Sequence, residues 1–154
     1  MKEIVILPIG VVLSSRSKAE DDDWDSEESS ILLDERFEEE ALTGLTDFSH
    51  VEVIYHFDKT DESKVVTGAR HPRNNPSWPK VGIFSQRGKN RPNRLGVTIC
   101  QIIGIEGRRL KLKGLDAIDG TPVIDIKPVM AEFLPRGRLA QPDWSKEIMS
   151  RYWE

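Results

Sequence analysis

Cysteine is almost absent from this 154-residue chain: Cys100 stands alone, which excludes an internal disulfide framework and fits a reducing compartment. No apolar run approaches the roughly 20 residues that a membrane-spanning helix needs, so no membrane partner is expected. The opening MKEIVILPIGVVLSS is short, rich in β-branched residues and without a small-residue cleavage site, unlike a secretory leader. The cytoplasm is the expected location. The 11 glycines never sit two apart, so the GxGxxG fingerprint is missing and a Rossmann nucleotide site has no support. P-loop, GxSxG and paired-cysteine zinc signatures are missing too. A nucleotide-like cofactor would have to bind by another route.

What is present suffices for one modest core, with 38% hydrophobic residues and a length typical of one domain. The net charge of −4 conceals an uneven distribution. Twelve carboxylates and one arginine lie between Glu20 and Glu40, whereas eleven Lys/Arg and one acid lie between Arg70 and Lys113. Such asymmetry either separates a polyanion-attracting face from a repelling one, or marks two solvated regions that meet in the fold.

Strand chemistry recurs along the chain. Residues 4–13 (IVILPIGVVL) read as a buried strand, with Pro8 and Gly10 marking a bend. Residues 15–30 read as an acidic surface loop, and Glu35–Leu42 as a short helix ending before Gly44. Val51–Phe57 is a core strand, and residues 58–79, with three prolines, form a long loop. Strands return at Val81–Phe84, Leu95–Ile105, Leu110–Leu112 and Val123–Ile126, with Glu106-Gly107 as turn chemistry before the third-last of these gives way to the next. Pro142–Trp153 reads as a short helix. At least six strands with little helix predict a mostly β fold, an antiparallel barrel or sandwich.

Three segments concentrate candidate chemistry. In RGKNRPNR, four cations (Arg87, Lys89, Arg91 and Arg94) alternate with Gly, Asn and Pro, a pattern suited to phosphate or carboxylate, or simply a charged hairpin loop. In LDAIDGTPVIDIKP, Asp116 and Asp119 flank a turn; one is expected to cap the loop and the other to accept hydrogen bonds from a ligand. Asp125 is open to a salt bridge with Lys127. In FSHVEVIYHF, His50 and His56 share a strand face, but only His71 or Cys100 remain as a third ligand, so no metal site is expected.

These segments, FSHVEVIYHF (48–57), GIFSQRGKNRPNRLG (82–96) and LDAIDGTPVIDIKP (115–128), together with LPIGVVLSS (7–15), resemble in order and spacing the TsaA-like or TrmO family. The resemblance covers roughly the first 130 residues. It implies a small non-Rossmann antiparallel β-barrel with short helices over 1–130, with 131–154 as a C-terminal extension of the same domain. It also implies a homodimer that binds S-adenosylmethionine and N-methylates threonylcarbamoyl-adenosine beside the tRNA anticodon. Carried over position by position, the cofactor contacts are Asp58, Lys59, Arg87, Val97, Lys113, Gly114, Leu115 and Asp116. From the early loop, Asp23 and Trp24 are added, the indole as a stacking surface or else as a core or interface anchor. Asp116, His50 and Tyr55 are the candidates for handling the acceptor's proton. Lys89, Arg91, Arg94, Arg108 and Arg109 are expected to meet RNA phosphates. The family's RPNPIG reads RPNRLG here, and Asp58-Lys59 replaces an expected His-Gln pair. A different methyl acceptor, or a module that senses cofactor or RNA without turnover, are the competing readings.

Overall fold

Alternation of apolar and polar side chains builds eight strands. They are β1 (Gly10–Ser14), β2 (Glu28–Leu33), β3 (His50–His56), β4 (Ala69–Arg70), β5 (Val81–Gly82), β6 (Leu95–Glu106), β7 (Arg109–Lys113) and β8 (Pro122–Pro128). In this computed structural model, which describes Met1–Glu154, six of them close a barrel in the order β1-β2-β7-β6-β3-β8. Every neighbouring pair is antiparallel. Closure removes the unpaired edges that an open sheet would expose. β4 and β5 pair separately.

The inward positions follow the two-residue period. Val51, Val53 and Tyr55 of β3 are buried, as are Ile31 and Leu33 of β2 and Leu110 and Leu112 of β7. With Val12, Cys100, Leu115 and Val123 they form one core inside the barrel. Two bulges correct the phase. An extra residue, Ile103, lies between the β6 pairs Ile102↔Leu112 and Gly104↔Lys111 and is exposed. Ile124 is likewise extra between Asp125↔Ile54 and Val123↔Tyr55, which lets both Val123 and Ile126 reach the core. Asp125 pairs with Lys127 at 3.1 Å on the outside.

Several expected boundaries move. The first strand starts at Gly10, and Ile4, Val5, Ile6 and Leu7 are exposed. Pro8 has no N–H for a ladder, and β1 already has a neighbour on each side. β2 begins inside the expected acidic loop, because Ser29 turns inward despite its polarity. The expected helix at 35–42 shrinks to one tight turn, Glu39–Leu42, anchored by buried Leu42. Val81–Phe84 keeps two strand residues before a turn. The β6–β7 loop is Gly107-Arg108, with positive φ only at Gly107, since Glu106 itself pairs with Arg109. At the C-terminal end, α1 (Asp143–Ile148) is followed by turns. No helix is long and apolar enough to cross a membrane.

One glycine decides where the Tyr55 ring goes. Tyr55 faces Gly96 across the β3–β6 ladder, and a Cβ there would lie 2.5 Å from Tyr55 Cζ and 2.9 Å from Phe57 Cζ. The two rings pack edge to face, 5.4 Å apart. Gly96→Ala therefore forces the pair aside and lowers stability by about 1–3 kcal/mol, read as a lower urea midpoint with an unchanged slope. An unchanged midpoint would mean that the ring is not confined there.

Candidate functional site

The segment after β7 turns sharply at Gly114, whose φ of 82° lies in the left-handed region that favours glycine. The turn buries Leu115 and delivers Asp116 to the open end of the barrel beside the β3–β6 pair. Three hydroxyls meet its carboxylate. Tyr55 donates to Oδ1 at 2.7 Å and Thr98 donates to the same oxygen, while Tyr152 donates to Oδ2. Burial, and then the Asp116 charge, push both phenols above the ordinary tyrosine range. Neither ionises at neutral pH, so Tyr55 holds Asp116 rather than taking a proton. The same two causes push the Cys100 thiol up to about 12, which rules it out as a nucleophile.

Around this cluster the structure gathers much of the expected set. Arg87 Nη2 donates to Val97 O at 2.6 Å. The amides of Asp23 and Trp24 donate to Arg151 O and Tyr152 O at 3.3 and 3.0 Å. A cavity of about 520 Å³ is lined by Asp25, His50, Lys113, Gly114 and Trp153 among others. Lys59 is tied to the loop through Asp119 O at 3.0 Å, and Asp58 beside it is exposed. Of the two turn aspartates, Asp119 is the loop-holder, accepting from the Ser14 amide at 3.0 Å.

Some expectations need correction. Trp24 is not an exposed stacking surface: it is 3% exposed, with the Arg16 guanidinium 3.6 Å from its ring centre. Arg16 also donates to Asp22 O and Asp23 O, so it organises the acidic loop from a position outside the charge runs. His50 lies five residues before Tyr55, on the opposite strand face, and bonds Ser49 Oγ through Nδ1. It reaches the cavity but not the Asp116 cluster. The cations do not form one patch. Arg94 is committed to Thr60 O and Glu62, and Arg91 to Gln86 O. Arg108 and Arg109 sit at the far end of the twelve-residue β6, some ~35 Å of strand contour from Leu95. Arg94 takes a φ of 50°, which a proline could not adopt, so the RPNR turn follows its own path. Thr98 and Tyr152 were not singled out from the sequence. Thr98 looks like any inward strand residue, and nothing in the sequence around Tyr152 names its partner.

The two oppositely charged stretches meet along the β2–β7 ladder, where Glu28 stands opposite Lys113, and in one ion-paired contact, where Arg73 bridges Asp21 and Asp22 at 3.6 and 3.0 Å. Arg87, Lys89, Arg109 and Lys113 are in no ion pair.

Comparison with known proteins gives this geometry a context. The family model described as the tRNA-methyltransferase O N-terminal domain matches residues 20–133. The chain is 41% identical over 95 residues to a tRNA (adenine(37)-N6)-methyltransferase of Mus musculus, spanning 62% of this chain but 22% of that protein. It is 40% identical over 130 residues to a probable S-adenosyl-L-methionine-binding protein of Methanothermobacter thermautotrophicus, spanning 82% of this chain and 90% of that one. The crystal structure of TrmO from Pseudomonas aeruginosa superposes with a TM-score of 0.70 at 28% identity, over 92% of this chain and 64% of that chain.

Tyr55 and Tyr152 are the only two tyrosines, and both donate to Asp116. Their raised folded values mean that their contribution to stability is intact below about pH 10, the unfolded value. It is lost as pH rises past that point, where the unfolded chain releases phenolic protons first. Phenolate absorbance in the native protein should show no tyrosine titrating near pH 10, only a joint rise with alkaline unfolding. A normal early titration of one tyrosine would show that its bond to Asp116 is absent in solution.

Proposed function

Because the chain belongs to the tRNA-methyltransferase O N-terminal domain family, we propose that it binds S-adenosylmethionine at the Asp116 end of the barrel and methylates the exocyclic nitrogen of the modified adenosine, threonylcarbamoyl-adenosine, beside a tRNA anticodon. The observation that carries this reading is the meeting, at one barrel end, of Arg87 on Val97 O and the hydroxyl cluster on Asp116 with a cavity lined by Asp25, Lys113 and Gly114. The residues suit the ligand's chemistry. Its volume class fits a cavity of about 520 Å³. Arg87, anchored through one nitrogen, keeps further N–H groups for a carboxylate, and Lys113 adds a second positive charge. Gly114 has no Cβ, so the backbone there offers close approach, and Asp23 and Asp25 supply acceptors for ribose hydroxyls or an amino group.

Bound S-adenosylmethionine supplies an electrophilic methyl group. The chain's part is to align the acceptor nitrogen and keep water away. A carbamoylated adenine amine is weakly nucleophilic, so removing its proton helps. His50, whose Nδ1 pairs with Ser49, keeps Nε2 for that proton at the cavity wall. Tyr55 and Thr98 act as positioning residues on Asp116.

An anticodon-loop base is already unpaired, which lowers the cost of presenting it to a pocket. Lys89 and Arg91 lie on the loop that carries Arg87, nearest the cluster, whereas Arg108 and Arg109 would touch only an RNA that runs along β6. A homodimer belongs to this reading: Ile4, Val5, Ile6 and Leu7, with Ile99 and Ile103 on β6, leave apolar surface for a second copy to cover. So does a cytoplasmic location, where tRNA is the abundant polyanion. The chain spans about a fifth of the mouse relative, so features outside that stretch carry no weight here.

Calorimetric titration of the wild type with S-adenosylmethionine should give micromolar binding, weakened roughly tenfold or more in Arg87→Ala. Affinity for tRNA should fall linearly on a log–log plot against salt. No binding heat in the wild type refutes the cofactor site, and tRNA affinity independent of ionic strength refutes the phosphate contacts.

A further inference from the structure

The residues after α1 add contacts to the Asp116 cluster that the barrel does not need. The Tyr152 hydroxyl reaches Asp116 Oδ2. The Trp153 ring packs edge-on against Tyr152 at 5.0 Å and lies over Gly114, where an added Cβ would be 4.0 Å from Trp153 Cζ3. From the other side the acidic loop holds the same segment, through the amides of Asp23 and Trp24 on Arg151 O and Tyr152 O. Upstream, Trp78 Nε1 donates to Glu147 Oε2 at 2.9 Å, so the long 58–79 loop steadies α1.

These attachments are few: the polar contacts above, the Trp153 ring over Gly114, and half-buried Trp144, Ile148 and Met149. No residue beyond Ile126 belongs to the core or packs on it, and no residue beyond Pro128 is in a barrel strand. The Arg151–Glu154 pair, at 4.0 Å and about three-quarters exposed, adds little. An element held by a handful of hydrogen bonds opens at a far lower cost than the barrel.

We propose that residues 143–154 form a strap over the S-adenosylmethionine site, latched by Tyr152 on Asp116, which must lift before the ligand enters. The inference rests on the function proposed above. The groups that the strap touches, Asp23, Trp24, Gly114 and Asp116, all belong to the expected cofactor set, so strap and ligand contend for the same positions. Tyr55 and Thr98 both use Asp116 Oδ1, and the strap takes Oδ2, the oxygen left for a ligand. Apparent affinity then scales with the fraction of molecules whose strap is open.

The test uses the full chain as wild type, Tyr152→Phe and Tyr152→Phe/Trp153→Ala. Phenylalanine keeps the ring packing and removes the latch. Titration with S-adenosylmethionine is read beside hydrogen exchange at the amides of Asp23 and Trp24, which the strap's carbonyls hold. Tyr152→Phe should bind roughly tenfold tighter, the double variant at least as tightly, and both amides should exchange faster in the variants and in ligand-saturated wild type. Weaker binding in the variants, or slower exchange of those amides on adding ligand, overturns the proposal and makes the segment a fixed wall of the site. Equal binding by all three proteins with unchanged exchange overturns it as well while leaving the proposed function intact. No binding by any of the three overturns the function proposed above, and the strap with it.

Discussion

The hydrogen bond from Tyr55 to Asp116 is the interaction on which the open end of this barrel depends. It joins a β3 side chain to a loop 61 residues further along, and it exists only because β6 offers Gly96 where the ring must lie. With Tyr55 in place, its hydroxyl and that of Thr98 converge on one carboxylate oxygen, which fixes the loop after Gly114. That loop in turn carries Leu115 and Ala117 into the core, so a polar contact and apolar burial hold the same turn. Remove the glycine and the ring, the carboxylate and the turn all lose their register together.

Closure imposes a second constraint. A six-stranded barrel of this size is filled by its own side chains, so its interior holds no ligand and its edges are all paired. Chemistry is confined to the loops at its ends. The nucleotide-like site proposed above therefore needs no glycine-rich phosphate loop. The donors come from five separate stretches: the acidic loop, the Arg87 loop, β6, the Gly114 turn and the residues after α1. None of these stretches carries a glycine-rich phosphate motif.

That dispersal explains how much could be read in advance. The barrel class followed from the strand chemistry of VEVIYHF and its partners, and from the order of the motif segments. Arg87 and Asp116 were reachable because each lies inside a segment of specific wording, and Val97 and Gly114 because each directly adjoins one. Of the two readings of Trp24 the buried anchor holds, because exposure cannot be read from acidic neighbours: Arg16, at the start of the same loop, covers the indole. β2 was missed because its first residues, Glu28, inward Ser29 and Ser30, imitate a loop. Tyr152 was invisible because nothing local to DWSKEIMSRYWE says which distant carboxylate its hydroxyl will meet.

The charge pattern yields a different lesson, about how cations are committed. Counting eleven Lys/Arg between Arg70 and Lys113 suggested one polyanion-binding face. The fold spends Arg73 on the acidic loop, Arg94 on Thr60 and Glu62, and Lys111 on Glu106. Of the remainder, Arg87, Lys89 and Arg91 precede β6, Arg108 and Arg109 follow its other end, and Lys113 stands opposite Gln101 within it. Surface ion pairs of this kind contribute little stability, so their effect is chiefly to remove those cations from the field that an approaching phosphate backbone meets. What is left near Asp116 is the small group around Arg87, Lys89 and Lys113. A group of that size, beside a carboxylate-rich loop, suits a compact ligand with both charges better than a long run of phosphates. An RNA bound here would be held by a few contacts around one presented base, with correspondingly shallow salt dependence.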